Sequence, residues 1–235
     1  MKNKVSFIIP LYNEEKRVLL IMDFYHQLKK IFNHNFEIIC VLNGCYDNTH
    51  SILIHNIKDE KITVSTIKIR SRGAAIKKGI NLANNDLIAI GSVDNAWDIS
   101  FYNSAHDYLN NYNNLSVVYG PKSHFDSIVK RPLIRKIISF FCTLYLKLLF
   151  GKLFYEDTQC IKMFKKKDII FLNQLSNSNY FAEAEFFFYS KIYKLNIKFI
   201  KVSIRDTKKT IKLNLLLGFM IDALIFRIKL YRKLK

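Results

Sequence analysis

The first 120 residues alternate short apolar runs with stretches of helical periodicity, and this alternation limits the fold more than any other feature. Val5-Ser6-Phe7-Ile8-Ile9 is a strand-length run ended by Pro10. From Glu14 to about Ile31 the apolar positions Val18, Ile21, Met22, Tyr25 and Leu28 recur at helical spacing. Phe36 to Leu42 is a second apolar strand, stopped by Asn43-Gly44, and Asp47-Asn48-Thr49 can cap a helix to about Ile57. Ile62–Ile67, Leu87–Ile90 and Leu115–Tyr119 read as further strands, with a helix at Gly73–Ala83. Continuous apolar strands alternating with helices predict an α/β fold, a mostly parallel sheet covered on both faces. Ligands of such sheets bind beyond the carboxyl ends of the strands. Polar clusters fall there: Tyr12-Asn13-Glu14, Asn43 to Asp47, and Asp94.

The second half has another character. Leu133–Phe150 and Phe181–Tyr193 predict helices, Ile197–Val202 a strand, and Leu213–Ile228 a strongly apolar helix followed by Lys229, Arg232, Lys233 and Lys235. Residues 1–129 hold 14 Lys and Arg against 12 Asp and Glu, whereas residues 130–235 hold 23 against 7, so nearly all of the +18 net charge lies in the second part. Such an imbalance implies a polyanionic partner, nucleic acid or an anionic membrane. The cations flank long apolar stretches instead of alternating with exposed aromatics, which argues against nucleic acid. A membrane span needs about 20 largely uncharged residues. Leu213–Ile228 is shorter and carries Asn214 and Asp222, so it predicts an interfacial amphipathic helix with snorkelling cations.

Cys40, Cys45, Cys142 and Cys160 lack metal-type spacing and read as reduced. The six His show no HxxxH or HExxH pairing, so a zinc site is not expected. Met1 leads within four residues into a strand, which leaves no room for a signal peptide.

Five ordered motifs resemble family 2 glycosyltransferases of the GT-A fold, most like the dolichyl- and polyprenyl-phosphate glucosyl- and mannosyltransferases. Pro10-Leu11-Tyr12-Asn13-Glu14 is similar to the family's "P-x-Y-N-E" turn, and Asn43-Gly44-Cys45-Tyr46-Asp47-Asn48-Thr49 to its "D-G-S-x-D-x-T" loop. Arg72-Gly73-Ala74-Ala75 through Gly79, then Ala83 to Asp86, resembles "R-G-x-A-x-x-x-G…A-x-G-D". Asp157-Thr158-Gln159-Cys160 with Lys162 and Phe164 resembles "D-T-Q-C-G-F-K-x-F", with Ile161 where the family has Gly. Phe181-Ala182-Glu183-Ala184-Glu185 resembles "F-x-D-x-E".

The resemblance implies a Rossmann-like GT-A domain over residues 1–205, with a nucleotide-sugar half (1–120) and an acceptor half (121–205). Residues 206–235 are then a membrane-associating amphipathic helix. It implies a hexosyltransferase acting on a UDP- or GDP-sugar and a polyprenyl or dolichyl phosphate, peripheral on the cytoplasmic face of a membrane. Pro10, Tyr12, Glu14 and Asn43 would hold the nucleotide. Arg72 would meet the donor phosphates, aided by the N-terminus of its helix. The family's "D-x-D" falls on Ser92-Val93-Asp94, so Asp94 is the remaining carboxylate for Mg²⁺ or Mn²⁺, with substrate phosphates and waters completing the shell. Lys122, Arg131 and Arg135 would bind the acceptor phosphate, and Asp94, Asp157 and Arg131 form the catalytic set. One of Glu183 and Glu185 would face substrate. A glycan or glycolipid hydroxyl is the alternative acceptor, with Asp157 as base, and a catalytically degenerate homologue is a further reading. A membrane protein or a second copy of the chain is an open partner.

Overall fold

The computed structural model describes residues 3–57, 59–93, 99–129, 132–154, 160–204 and 213–233. The strands are β1 (Val5–Leu11), β2 (Phe36–Asn43), β3 (Ile62–Ile67), β4 (Leu87–Ile90), β5 (Val117–Gly120), β6 (Ile128–Val129), β7 (Ile161–Lys165), β8 (Ile197–Phe199) and β9 (Ser203–Ile204). The α-helices are α1 (Leu20–Phe32), α2 (Thr49–Asn56), α3 (Arg72–Leu82), α4 (Ser100–Asn111), α5 (Leu133–Phe150), α6 (Ala182–Ile192) and α7 (Leu213–Lys233).

Among the described residues, seven strands form one sheet in the order β3-β2-β1-β4-β7-β5-β8, and β6 pairs with β9 in a small second sheet. The first four are parallel, with Phe7 opposite Ile38 of β2 and Ala89 of β4. β7 is antiparallel to both neighbours, with Lys162 opposite Ile90 and Tyr119. One face of the sheet is covered by α1, α2 and α4 through Phe24, Leu28, Leu53 and Phe101; the other by α3, α5, α6 and α7 through Ile76, Phe150, Phe187 and Phe226. The fold is therefore α/β with a mostly parallel sheet between two helical layers. Gly79 lets α3 lie directly on β1, since a Cβ there would come within 2.3 Å of Ile8 Cγ2.

Several boundaries differ from expectation. β1 runs through Pro10 to Leu11; pairing with β4 ends at Ile8, so the missing proline N–H lies beyond that ladder. The helix expected from Glu14 starts at Leu20, because Asn13 takes a left-handed φ of 50° and the chain then turns on the Glu14 carbonyl, which accepts from the Arg17 and Val18 amides. The strand expected at Ile197–Val202 ends at Phe199 as β8, and the short β9 begins just beyond it at Ser203. Helix α4 and strand β7 were not foreseen. α7 extends to Lys233, five residues past the apolar stretch.

Candidate active site at the carboxyl edge of the sheet

The carboxyl ends of β1, β2 and β4 define one edge, and β7 begins there because it runs in the opposite sense. Tyr12 follows β1, Asn43 ends β2, Ser92 follows β4, Lys122 follows β5, and Cys160 leads into β7. The edge thus collects residues from five distant parts of the chain. Asn43 is buried and donates its amide to the Leu11 carbonyl at 2.6 Å, tying the ends of β1 and β2 together. The Glu14 amide donates to Thr49 Oγ1 at 2.7 Å, and Asp47 accepts from the Glu15 amide and from both the amide and hydroxyl of Thr49. Burial raises the Asp47 carboxyl, and these hydrogen bonds bring it below its ordinary value. The Glu14 carboxylate pairs with Arg17. Asp47 and Thr49 are therefore braces between the first two loops, and Pro10 lies buried within β1.

Tyr12 is the most accessible aromatic handle of the predicted nucleotide residues. Its ring meets Tyr46 edge-on at 6.2 Å, and the Arg70 guanidinium lies over it at 4.2 Å from the centroid. Arg70 also donates to the Tyr180 hydroxyl at 3.3 Å. No motif singled out Arg70. It lies in the irregular stretch between β3 and α3, where periodicity carries no signal.

Arg72 makes a contact that spacing did not anticipate. Its Nε donates to Glu183 Oε1 at 2.7 Å, and Lys162 Nζ donates to Glu183 Oε2 at 2.6 Å. Burial pushes the Glu183 carboxyl up, but the Lys162 and Arg72 charges outweigh this and hold it at about 2. Of the two carboxylates on α6, Glu183 is thus the one at the site. Glu185 accepts from the Ser176 amide at 2.7 Å and from its hydroxyl, a structural role, and burial raises its carboxyl. Lys162 was part of a matched motif but not a candidate site residue; a lysine inside the apolar run Ile161–Phe164 was the available signal.

The N-terminus of α3 is already capped, which corrects the expected phosphate role of its amides. The Arg72 amide donates to Asn179 Oδ1 at 3.2 Å, the Gly73 amide to the Ser178 carbonyl at 2.9 Å, and the Ala74 amide to Ser71 Oγ at 3.0 Å. Ser71 in turn donates to the Asn177 carbonyl at 2.7 Å. The segment 174–181 forms a strap across this helix end. Its approach requires Gly73, whose Cβ would lie 2.2 Å from the Ser176 carbonyl oxygen.

Asp94, Asp157 and Arg131 lie outside the described residues, as does the side chain of Arg135 within α5. Lys122 is half-buried two residues beyond β5. Among the described residues no group of three or more His, Cys, Asp or Glu could hold a metal ion. Ser92 in the first "D-x-D" slot leaves one carboxylate, a donor set that suits Mg²⁺ or Mn²⁺ only with phosphate oxygens and waters in the remaining positions.

Helices α5 and α7 pack together, with the Tyr145 hydroxyl donating to the Met220 carbonyl at 2.9 Å. Both keep an apolar outer face: Leu133, Ile137, Phe140, Phe141, Leu144 and Leu148 on α5, and Leu217, Ile221, Leu224, Ile225 and Ile228 on α7 are all exposed. Two polar side chains of α7 turn inward instead. Asp222 accepts from Ser178 Oγ at 2.6 Å, and Lys229, expected to snorkel outward, donates to the Gln174 carbonyl at 2.5 Å. No helix among the described residues is long and apolar enough to cross a membrane.

The sequence model described as Glycosyl transferase family 2 matches residues 6–172. A dolichyl-phosphate beta-glucosyltransferase of Dictyostelium discoideum is 27% identical over 178 residues, covering 69% of this chain and 54% of that protein. One from Trichomonas vaginalis is 30% identical over 186 residues, covering 72% of this chain and 56% of that protein. The chain spans a little over half the length of these relatives. Glucosyl-3-phosphoglycerate synthase from Mycobacterium tuberculosis, solved with Mn²⁺, UDP and glucosyl-3-phosphoglycerate, superposes with a TM-score of 0.67 at 14% identity, over 96% of this chain and 80% of that one.

Proposed function

Because this chain belongs to glycosyl transferase family 2, we propose that it transfers a hexose from a nucleotide diphosphate sugar to a polyprenyl or dolichyl phosphate at the cytoplasmic face of a membrane. The observation that carries this reading is the paired apolar face of α5 and α7, exposed on a domain whose curated relatives act on dolichyl phosphate. A lipid-linked acceptor reaches the enzyme within a bilayer, and an apolar face bordered by cations suits such a surface. UDP-glucose is the favoured donor, in keeping with the glucosyltransferase relatives and the UDP-bound structural neighbour.

In this reading Tyr12, with Arg70 over its ring, receives the base. Asn43 has one amide hydrogen committed to Leu11 and keeps its Oδ1 as an acceptor. Arg72, held by Glu183, turns its remaining N–H groups to the donor diphosphate. Since the α3 amides are occupied, phosphate binding on this side depends on side-chain charge. Asp94 would hold the metal, which when bound neutralises charge growing on the leaving diphosphate. Lys122, Arg131 and Arg135 draw the acceptor phosphate against the sugar. That phosphate oxygen is already ionised near neutral pH and needs positioning more than a base. Asp157 orients the sugar or the acceptor.

The test is incubation of the chain with radiolabelled UDP-glucose or GDP-mannose, polyprenyl phosphate in anionic vesicles, and Mn²⁺ or Mg²⁺. Labelled lipid from UDP-glucose is expected. Label in a water-soluble glycan with none in lipid would move the acceptor to a hydroxyl.

A further inference from the structure

The strap at 174–181 has the candidate donor site on one side and α7 on the other, and Asp222 is where α7 holds it. Asp222 Oδ2 accepts from Ser178 Oγ at 2.6 Å and from the Tyr180 amide at 3.3 Å. Ser178 Oγ accepts from the Phe181 amide at 2.8 Å, so the turn is locked at both ends. Gly218, one turn before Asp222 on α7, lies under the Tyr180 ring so closely that a Cβ would come within 2.5 Å of Cε2. Beyond the strap, the Tyr180 hydroxyl accepts from Arg70, whose guanidinium covers Tyr12. The same strap gives Asn179 Oδ1 and the Ser178 carbonyl to the amides of Arg72 and Gly73. A continuous path of hydrogen bonds and ring contacts thus runs from α7 to Tyr12 and Arg72. The exposed apolar residues Leu217 and Leu224 lie on the far side of α7 from Asp222.

We infer that Asp222 is a positioning residue for nucleotide binding: through Tyr180 and the strap it fixes Arg70 over Tyr12 and the backbone at Arg72, and so ties the outward-facing helix to the donor side. The inference rests on the donor reading proposed above. Asp222 touches no substrate. Its carboxylate sets where Tyr180 stands, and Tyr180 sets where Arg70 stands. A carboxylate suits the position because it accepts from two donors at once, which an alanine cannot and an asparagine does with its one carbonyl oxygen.

The experiment measures UDP affinity by calorimetry in Mn²⁺ for the full chain on anionic vesicles, beside vesicle co-sedimentation. Asp222→Ala is expected to weaken UDP binding about tenfold, the size expected for one or two lost charge-assisted bonds. Asp222→Asn is expected to restore most of it, and both variants should sediment with vesicles as the wild type does, since the outer face of α7 is untouched. Gly218→Ala should weaken UDP binding by pushing the Tyr180 ring aside, which provides an independent route if Asp222→Ala does not fold. UDP affinity equal to wild type in a folded Asp222→Ala or Gly218→Ala overturns the inference. Equal loss in Asp222→Ala and Asp222→Asn also overturns it, because the acceptor atom would then not matter. If the wild type binds neither UDP nor GDP, the donor reading fails first and the inference with it.

Discussion

Lys162 and Glu183 meet at 2.6 Å, with the lysine wholly buried in the middle of the sheet and the glutamate also paired with Arg72. A buried lysine is tolerated only when its charge is answered, and β7 brings it to the first turn of α6, where Glu183 stands. The pair joins strand, helix and the start of α3 at one point.

The Glu183 carboxyl, lowered from 4.5 to about 2, links stability to pH. A depressed folded value adds stability that is present in full above the unfolded value and is lost as pH falls toward the folded one. That contribution is of the order of 3 kcal/mol. Urea unfolding from pH 6 down to pH 2 should show the loss concentrated below about pH 4.5, and Glu183→Gln should flatten that acid limb.

Lys162→Met should be far more costly than a surface lysine change. Removing one partner of a buried pair costs about 3–5 kcal/mol, because the other charge is left buried. Arg72 still faces Glu183, so the lower end of that range is expected from denaturant unfolding. An unchanged midpoint would mean the pair carries no net stability.

Gly73→Ala should displace the strap. A Cβ there would strike a backbone carbonyl, which cannot swing away as a side chain can. Overpacking of this kind costs about 1–3 kcal/mol, to be read as a lower melting temperature, with weaker UDP binding beside it.

Paired substitutions on the outer helices, Phe141→Asp with Ile225→Asp, should abolish vesicle sedimentation while leaving the circular dichroism unchanged. Each large apolar side chain contributes about 1.5–3 kcal/mol when it leaves water. Losing two should therefore reduce partitioning by about a hundredfold or more. Retained sedimentation would indicate that charge alone carries the association.

Ser92→Asp should raise Mn²⁺ affinity by adding a second carboxylate to the proposed metal position, by roughly tenfold. Electron paramagnetic resonance of free Mn²⁺, titrated with UDP present, reads this directly. No gain in Ser92→Asp together with no loss in Asp94→Ala would place the metal elsewhere or remove it.

Strands β1, β2 and β4 were legible because they are buried on both faces and read as near-continuous apolar runs, and Leu87–Ile90 was located to the residue; β3, at the sheet edge, is only partly buried. β7 was not legible: it carries two buried lysines, Lys162 and Lys165, and runs against its neighbours. α4 was hidden by its polar composition, Asn103, Ser104, His106 and Asp107 diluting the apolar spacing. At the site, the loops after β1 and β2 were found from their motifs. The partner of Arg72 was not, because Glu183 lies 111 residues away and only the fold brings them together. The capping of the Arg72 and Gly73 amides was missed for the same reason, since their acceptors come from Asn179 and Ser178; only the third acceptor, Ser71 Oγ, is local.

The antiparallel placement of β7 also dictates an order of events as the chain leaves the ribosome. β1 to β4 can pair as soon as residue 90 has emerged, but the outer edge of β4 then stays open until β7, ending at Lys165, arrives. β5 is made before β7 yet pairs only with β7 and β8, so it waits unpaired while α5 is synthesised. For about 75 residues of translation the nascent protein carries a bare, apolar strand edge, the kind of surface that invites misassembly. Truncations ending between α4 and β7 should accordingly be the insoluble ones.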